Sequence, residues 1–154
     1  MTTPVAVSGA LGRMGRAVVR LAAESDDLQV VAAWEHEDHL SMGAPHPEDP
    51  RVVVGPPGIW SRPPRVVIDF STPAGAARAL DIARTGGMAF VSGTTGLGAG
   101  FQERLVAAAR DIPVLVAPNM STGVYLLRRL TGALLDLLGE DPGFDLELAE
   151  IHHG

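Results

Sequence analysis

Short apolar runs alternate along the chain with longer stretches whose apolar residues recur at helical spacing. The apolar runs predict strands at residues 5–8, 29–34, 66–70, 88–92 and 114–117. The longer stretches predict helices at residues 13–24, 73–85, 101–110 and 122–138. Strands that alternate with helices pair in parallel through right-handed crossovers. We therefore predict an α/β fold built on a doubly wound parallel sheet.

Two segments depart from this alternation. Residues 36–64 are polar and rich in Pro, Gly and His, with a candidate short strand at 52–54. The earlier strands are apolar almost throughout, as expected when helices cover both faces of a sheet, whereas residues 144–152 alternate between acidic and apolar positions. That pattern is typical of a sheet with one face in water, so we predict a last strand here that begins a second sheet. The predicted domains are 1–122 and 123–154, the second being the truncated start of an α+β domain.

Composition narrows the function classes. The 154-residue chain carries 12 basic and 18 acidic residues, a net charge of -6, and no basic stripe, which argues against a nucleic-acid partner. The absence of cysteine excludes a disulfide framework and a thiolate nucleophile, and we predict no metal site. Glycines break the apolar N-terminus, and Arg128, Arg129 and Asp136 interrupt the apolar stretch at 126–138. We therefore expect a cytoplasmic protein with no membrane partner.

A glycine-rich turn follows the first strand and opens the first helix. Gly9, Gly12 and Gly15 have the spacing at which one glycine makes a tight turn, one admits a pyrophosphate and one packs the helix on the sheet. Glu35 follows twenty residues after Gly15, at the end of the second strand, where a carboxylate accepts hydrogen bonds from ribose hydroxyls. These features favour a Rossmann-like dinucleotide site. Taken singly, each is equally compatible with a ligand-free turn or a solvated carboxylate.

Six segments in order resemble the bacterial dihydrodipicolinate reductases, now called 4-hydroxy-tetrahydrodipicolinate reductases. They are Gly-Ala-Leu-Gly-Arg-Met-Gly-Arg at 9–16, Ala-Trp-Glu at 33–35, Asp-Phe-Ser-Thr-Pro at 69–73, Gly-Thr-Thr-Gly at 93–96, Ala-Pro-Asn-Met-Ser-Thr-Gly-Val at 117–124 and Glu-Ile-His-His at 150–153. Together they span the chain. The resemblance implies reduction of 4-hydroxy-tetrahydrodipicolinate by NADPH or NADH in the diaminopimelate and lysine pathway, in a homotetramer.

The same resemblance implies site residues. His152 is the expected acid near the small-molecule substrate, and His153 is expected to hold the substrate carboxylates. The implied cofactor-binding residues are Gly9, Leu11, Gly12, Arg13, Met14, Glu35, His36, Phe70, Gly93, Thr95, Ala117, Asn119 and Met120. The loops after Phe70, Ser92 and Ala117 leave the carboxyl ends of parallel strands, where ligands bind in open α/β sheets.

The sequence also departs from the family pattern. The family continues past its His pair with a catalytic lysine and a Ser-Gly-Thr substrate loop, whereas this chain ends at Gly154 and all its basic residues are Arg. We expect a fragment, a chain whose remainder lies outside the sequence, or a natural short form, and we expect the isolated chain to be inactive. His36 stands where the family often has a basic residue for the 2′-phosphate of NADPH, and Glu37 and Asp38 follow it, which favours NADH. Arg13 could still reach a phosphate, so both cofactors stay open. Met120 and Tyr125 replace the usual Phe and Asn.

Two other functions remain open at this point. Without the lysine and the substrate loop, the chain could serve as a nucleotide-binding module without catalysis. A different Rossmann dehydrogenase, such as an amino-acid or diaminopentanoate dehydrogenase, would share the glycine turn. The Asn119 loop and the Glu-Ile-His-His ending argue against that second interpretation.

Overall fold

The structure is a computed structural model that describes residues 1–139 and residue 147. Seven strands and four helices lie within these residues. In chain order they are β1 (Thr3–Ser8), α1 (Arg13–Ala23), β2 (Leu28–Trp34), β3 (Pro45–His46), β4 (Asp49–Gly55), β5 (Val66–Asp69), α2 (Pro73–Thr85), β6 (Ala89–Ser92), α3 (Ala99–Ala108), β7 (Val114–Val116) and α4 (Thr122–Leu138). The strand predicted at 144–152 lies outside the described residues.

The chain divides into two compact units, Met1–Pro118 and Asn119–Gly154. The first contains the whole sheet with α1, α2 and α3, and the described part of the second contains α4. None of the described helices combines the length and the apolar character that crossing a bilayer requires.

The sheet has the strand order β3-β4-β2-β1-β5-β6-β7. Every neighbouring pair is parallel except β3 with β4, which confirms the predicted doubly wound parallel sheet. The chain runs outward from β1 through β2 to β4, and then from β5 on the other side of β1 through β6 to β7. The strand order therefore reverses between β1 and β5, the point at which ligands bind in such sheets.

The two faces of the sheet are covered unequally. On one face, Phe90 packs in a cluster with Leu80 of α2 and Phe101 of α3. On the other face, Val5 and Val7 pack in a cluster with Val19 of α1. Helices therefore cover both faces at β1, as predicted from its apolar sequence.

Toward β7 the α1 face opens. A row of paired residues crosses it from Val7 through Ile68 and Val91 to Leu115. Val7 is fully buried, Ile68 and Val91 are half-buried, and Leu115 is 54% exposed. Among the helices of the first unit, the cover on this face therefore ends before β7, because a continuous apolar strand signals hydrophobic contact without showing which element supplies it.

The starts of two helices, α2 and α4, follow from local sequence signals. The Thr72 hydroxyl accepts from Gly75 N–H at 3.1 Å, and Pro73 occupies the first turn of α2, so this helix begins where predicted. Ser121 caps α4 in the same way, accepting from Val124 N–H at 3.4 Å.

The segment 36–64 is more ordered than its composition suggests. Instead of a short strand at 52–54, it forms the seven-residue strand β4. This strand pairs with the two-residue strand β3 in an antiparallel hairpin. Two prolines, Pro45 and Pro50, make the sequence of this hairpin resemble a loop. Pro45 is tolerated because it lies on the edge strand β3, and Pro50 because it precedes the part of β4 that pairs with β2. Val52 and Val54 point into the core and are buried.

Candidate functional site

The glycine turn is held in a shape that only glycine permits. Gly9 has φ 71°, and a Cβ there would lie 2.5 Å from the carbonyl oxygen of Phe70. A Cβ on Gly15 would lie 2.0 Å from the carbonyl oxygen of Gly9, so α1 packs directly against the turn. Gly9 N–H and Ala10 N–H both donate to the Trp34 carbonyl, at 3.0 and 3.2 Å, which fixes the turn to the end of β2.

Helix α1 begins without a side-chain cap. Gly12 is its N-cap residue, makes no side-chain capping bond, and is followed by no acidic residue in the first turn. The N–H groups of the first turn of a helix lack partners within the helix, and its dipole favours negative charge there. The start of α1 therefore suits an anion such as a phosphate.

Glu35 lies beside the same turn, directly after β2. Its Oε1 accepts a hydrogen bond from Leu11 N–H at 2.7 Å, and its side chain is half-buried. One oxygen thus ties the glycine turn to β2, while the carboxylate as a whole keeps acceptor capacity for a second partner.

His46, on the strand β3, contacts the backbone of the glycine turn. It is fully buried, and its Nδ1 accepts from Glu48 N–H at 3.2 Å. The other nitrogen, Nε2, is 3.0 Å from the Ala10 carbonyl oxygen and so acts as the donor to it. The β3–β4 hairpin, which sequence patterns did not reveal, therefore helps to orient the turn.

A cleft of about 610 Å³ opens at the point where the strand order reverses. Six of the predicted cofactor-binding residues line it, namely Gly9, Leu11, Gly12, Glu35, His36 and Phe70. Its other lining residues are Ser8, Trp34, His39, Pro57, Ser71, Thr72, Ala74, Gly75 and Arg78, which sequence reasoning did not select. The Thr72 cap was a usable signal, because a helix that begins after β5 must begin at this edge of the sheet.

Several polar and charged side chains lie close together at the outer end of the cleft, where residues 36–38 follow β2. Arg78, the one arginine among the lining residues, donates from Nη2 to Glu37 Oε1 at 2.5 Å, and both side chains are about half exposed. His36 Nδ1 lies 3.5 Å from the Asp38 carboxylate, and both side chains are largely in water. Glu37 and Asp38 therefore surround the end of β2 with negative charge.

The inner end of the cleft, where Phe70 lines it after β5, is closely packed. The ring of Phe70 lies against Gly93, where a Cβ would come within 2.1 Å of Cε1. Phe70 N–H donates to the Ser8 carbonyl at 3.0 Å, and Gly93 N–H donates to the Asp69 carbonyl at 2.9 Å. These contacts hold the ends of β1, β5 and β6 together around the aromatic ring.

The remaining predicted residues lie in several places. Arg13 lines a neighbouring cleft of about 360 Å³ with Arg16, Arg20 and Glu48, and Met14 is 52% exposed and lines neither cleft. Thr95 is exposed in the loop after β6, and Ala117 N–H donates to the Ser92 carbonyl at 3.0 Å.

Asn119 and Met120 begin the second unit, and both are exposed. The side chain of Asn119 accepts from Ser121 N–H at 2.8 Å. His152 and His153 lie outside the described residues.

Comparison with known sequences identifies the family of this chain. The family described as "Dihydrodipicolinate reductase, N-terminus" matches residues 3–120. The chain belongs to the dihydrodipicolinate reductase family. The resemblance inferred from the six sequence segments is therefore confirmed.

Relatives in this family are longer than the chain. A 4-hydroxy-tetrahydrodipicolinate reductase of Nitrosomonas europaea is 38% identical over 158 residues, covering 97% of this chain and 57% of the relative. One of Thermomicrobium roseum is 39% identical over 155 residues, again covering 97% and 57%. The chain thus spans a little over half the length of the curated relatives it matches.

Solved structures share the fold. Dipicolinate-bound dihydrodipicolinate reductase from Paenisporosarcina sp. TG-14 aligns with a TM-score of 0.67 and 21% identity, over 88% of this chain and 54% of that one. Aspartate semialdehyde dehydrogenase with NADP from Candida albicans aligns with a TM-score of 0.58 and 14% identity, over 75% of this chain and 42% of that one. At these identities the likeness concerns the Rossmann-like fold alone.

Proposed function

We propose that this chain is the nucleotide-binding part of a 4-hydroxy-tetrahydrodipicolinate reductase that uses NADPH or NADH. The observation that carries the proposal is the cleft at the β1–β5 reversal, with the glycine turn and Glu35 on its walls. Family membership and the names of the relatives supply the substrate, 4-hydroxy-tetrahydrodipicolinate. The reaction belongs to diaminopimelate and lysine biosynthesis, in a cytoplasmic homotetramer.

The residues present fit a dinucleotide. The absence of a Cβ at Gly12 and the uncapped start of α1 offer room and N–H donors to the pyrophosphate. Glu35 accepts from the hydroxyls of the adenosine ribose. His36 borders the same ribose.

The predicted residues that follow β5, β6 and β7 belong to the nicotinamide end. Phe70, Gly93, Thr95 and Ala117 orient the nicotinamide from the ends of β5, β6 and β7, and the Asn119 and Met120 backbone takes part in holding its amide. A bound nicotinamide supplies the hydride, and the protein supplies position and electrostatics. His152 donates a proton near the substrate, and His153 binds the substrate carboxylates.

The charges at the outer end of the cleft favour NADH over NADPH. The 2′-phosphate of NADPH hangs from the ribose that Glu35 holds, so it approaches Glu37 and Asp38. Arg78 is the nearby cation in the lining, and its guanidinium is engaged by Glu37. A phosphate has to compete with that carboxylate for Arg78, whereas the 2′-hydroxyl of NADH does not.

Binding and turnover are tested separately. Isothermal titration of the 154-residue chain with NADH tests the nucleotide site. A chimera that joins this chain to the segment of the Nitrosomonas europaea relative beyond the matched region tests catalysis. We expect the chain to bind NADH without turnover, and the chimera to oxidise NADH only when 4-hydroxy-tetrahydrodipicolinate is supplied.

Two results would change the conclusion. If the chain binds neither NADH nor NADPH, the nucleotide site is refuted. If the chain binds NADH but a folded chimera turns over neither cofactor, the chain is instead a nucleotide-binding module without catalysis.

A further inference from the structure

A buried carboxylate connects the two loops at the inner end of the cleft. Asp69, the last residue of β5, is fully buried. Its Oδ1 accepts from the Ser71 hydroxyl at 2.5 Å, and its Oδ2 accepts from the hydroxyls of Ser92 and Thr94, each at 2.7 Å. Three hydroxyl protons thus converge on one carboxylate.

Backbone hydrogen bonds close this network. Ser71 N–H donates to the Thr94 hydroxyl oxygen at 2.9 Å, and Thr94 N–H donates to the Ser92 hydroxyl oxygen at 3.2 Å. Because these two hydroxyls accept from backbone N–H groups, their own protons are free to point at Asp69. The network therefore has one consistent set of donors and acceptors, and each part depends on the others.

The carboxylate has no cationic partner within residues 1–139. None of the ion pairs found there includes Asp69, and no buried side-chain polar atom in the described part lacks a hydrogen-bond partner. Burying a carboxylate is costly, and only hydrogen bonds to its oxygens offset that cost here. A sheet that needed only stability at this position could use an apolar residue, as the paired Val7–Ile68 row does.

The network ties together the residues around Phe70. Ser71 and Phe70 follow Asp69 on the β5 loop, and Thr94 follows Gly93 on the β6 loop. Hydrogen bonds through Asp69 hold these loops side by side, and Gly93 lies against the Phe70 ring. The position of Phe70 in the cleft lining, and of Gly93 against its ring, is therefore set by the hydroxyl groups that bind Asp69.

We propose that Asp69 is a positioning residue for the nicotinamide end of the cofactor, acting through Ser71, Ser92 and Thr94. This inference rests on the proposed function, since it takes the cleft to bind a dinucleotide with its adenosine at Glu35. The network lies beneath the β5 and β6 loops, whereas the glycine turn and Glu35 are held by separate bonds. Disturbing the network should therefore weaken contacts to nicotinamide and leave contacts to adenosine diphosphate ribose intact.

The test compares two ligands that differ in the nicotinamide. ADP-ribose carries the adenosine, the pyrophosphate and a ribose, and NADH adds the nicotinamide ring. In Asp69→Asn an amide replaces one acceptor oxygen with a donor, so at least one hydroxyl must turn away. We expect the Kd for NADH to rise at least about tenfold, and the Kd for ADP-ribose to change by less than about twofold.

Thr94 supplies a second variant that perturbs the fold less. Thr94→Val keeps the shape of the side chain and removes its hydroxyl, so it should raise the Kd for NADH and leave that for ADP-ribose nearly unchanged. Thr94→Ser keeps the hydroxyl and should bind NADH as the unsubstituted chain does. Asp49→Asn is the matched control, because Asp49 is also a buried aspartate but begins β4 and lines neither cleft. That control should leave the ratio of the two Kd values unchanged.

The outcomes are distinguishable. Equal weakening of NADH and ADP-ribose in folded Thr94→Val would mean a merely structural role and would overturn the inference, as would unchanged binding of both. If Asp69→Asn does not fold, the Thr94 pair decides by the same criterion. Failure of the unsubstituted chain to bind either ligand would instead refute the proposed function.

Discussion

The two halves of the cleft are built by different means. On the β2 side, Glu35, Glu37 and Arg78 are half-buried or half-exposed charges, each held by one or two bonds. On the β5–β6 side, Asp69 is fully buried and holds neutral hydroxyls in a closed network.

Under the proposed function, this difference would separate two tasks. Exposed ion pairs contribute little to the free energy of folding and are screened by salt. A charged group of a ligand can therefore replace one partner of such a pair, which suits selection between related ligands. A buried network has few alternative arrangements and suits the fixed orientation that hydride transfer requires. The comparison predicts that substitutions on the β2 side change which cofactor binds, and that substitutions on the β5–β6 side change how the nicotinamide is held.

The largest effect should come from the turn that both halves share. Gly15→Ala forces a Cβ to within 2.0 Å of the Gly9 carbonyl oxygen, and backbone on both sides must move. We expect a loss of about 2–4 kcal/mol in the free energy of unfolding, measured by urea denaturation, and no detectable binding of NADH or ADP-ribose.

Gly100→Ala is the matched control for that variant. Gly100 lies in α3, and a Cβ there would meet open space, so alanine should stabilise the helix by up to about 1 kcal/mol. Wild-type-like ADP-ribose binding by Gly15→Ala would show that the turn does not serve the adenosine half.

A second substitution acts on the buried half alone. Gly93→Ala places a Cβ within 2.1 Å of the Phe70 ring, so the ring must turn away. The Kd for NADH should rise by about tenfold or more, with ADP-ribose nearly unaffected. Gly55→Ala, at the end of β4 where a Cβ meets open space, should alter neither Kd. Parallel losses for both ligands in Gly93→Ala would erase the proposed division of the cleft.

A third, smaller effect concerns the charged half. Glu37→Gln removes a negative charge and releases Arg78, so the Kd for NADPH should fall by about three- to tenfold relative to that for NADH, most clearly at low salt. Asp81→Asn is a close control, because Asp81 forms a similar exposed pair with Arg104, also at 2.5 Å, away from the cleft lining. A cofactor ratio that moves equally in both variants would assign the effect to net charge and not to Arg78.

The smallest effect should come from a charge pair at the start of β4, outside the lining of both clefts. Hydrogen bonds from the Arg51 guanidinium hold the pKa of Asp49 below its ordinary value of 3.8. Because the pKa is lowered in the folded state, the pair stabilises the fold above that ordinary value, and its contribution is lost as pH falls through the lowered pKa.

Arg51→Ala should therefore lower the melting temperature slightly at neutral pH, and the difference should vanish in strong acid. Binding of NADH and ADP-ribose should stay as in the unsubstituted chain. A melting difference that grows toward acid pH would contradict the expected sign of the Arg51–Asp49 contribution.

Local sequence signals predicted the elements well where one residue fixes a boundary. Pro73 placed α2 at its observed start, and the Gly9–Gly15 spacing predicted the turn. The β3–β4 hairpin was missed because its prolines and polar residues resemble a loop, and its strands are defined by pairing at the sheet edge.

Local sequence signals could not predict the contacts that support the site, because these contacts join residues far apart in the chain. Arg78 and Glu37 are 41 residues apart, and His46 and Ala10 are 36 apart, so only the folded sheet brings them together. Asp69 was visible within a family-like segment, yet its bonds to Ser92 and Thr94 depend on the parallel register of β5 with β6. Sequence thus indicated the loops proposed to face the ligand, and tertiary structure revealed what holds them.

Competition between NADH and ADP-ribose on the unsubstituted chain tests most directly whether the cleft is a dinucleotide site. The measurement follows the fluorescence of bound NADH while ADP-ribose is added. We predict that NADH binds with altered emission and that ADP-ribose displaces it completely, because both place adenosine at Glu35. Absence of NADH binding, or NADH that ADP-ribose cannot displace, would contradict this assignment of the cleft.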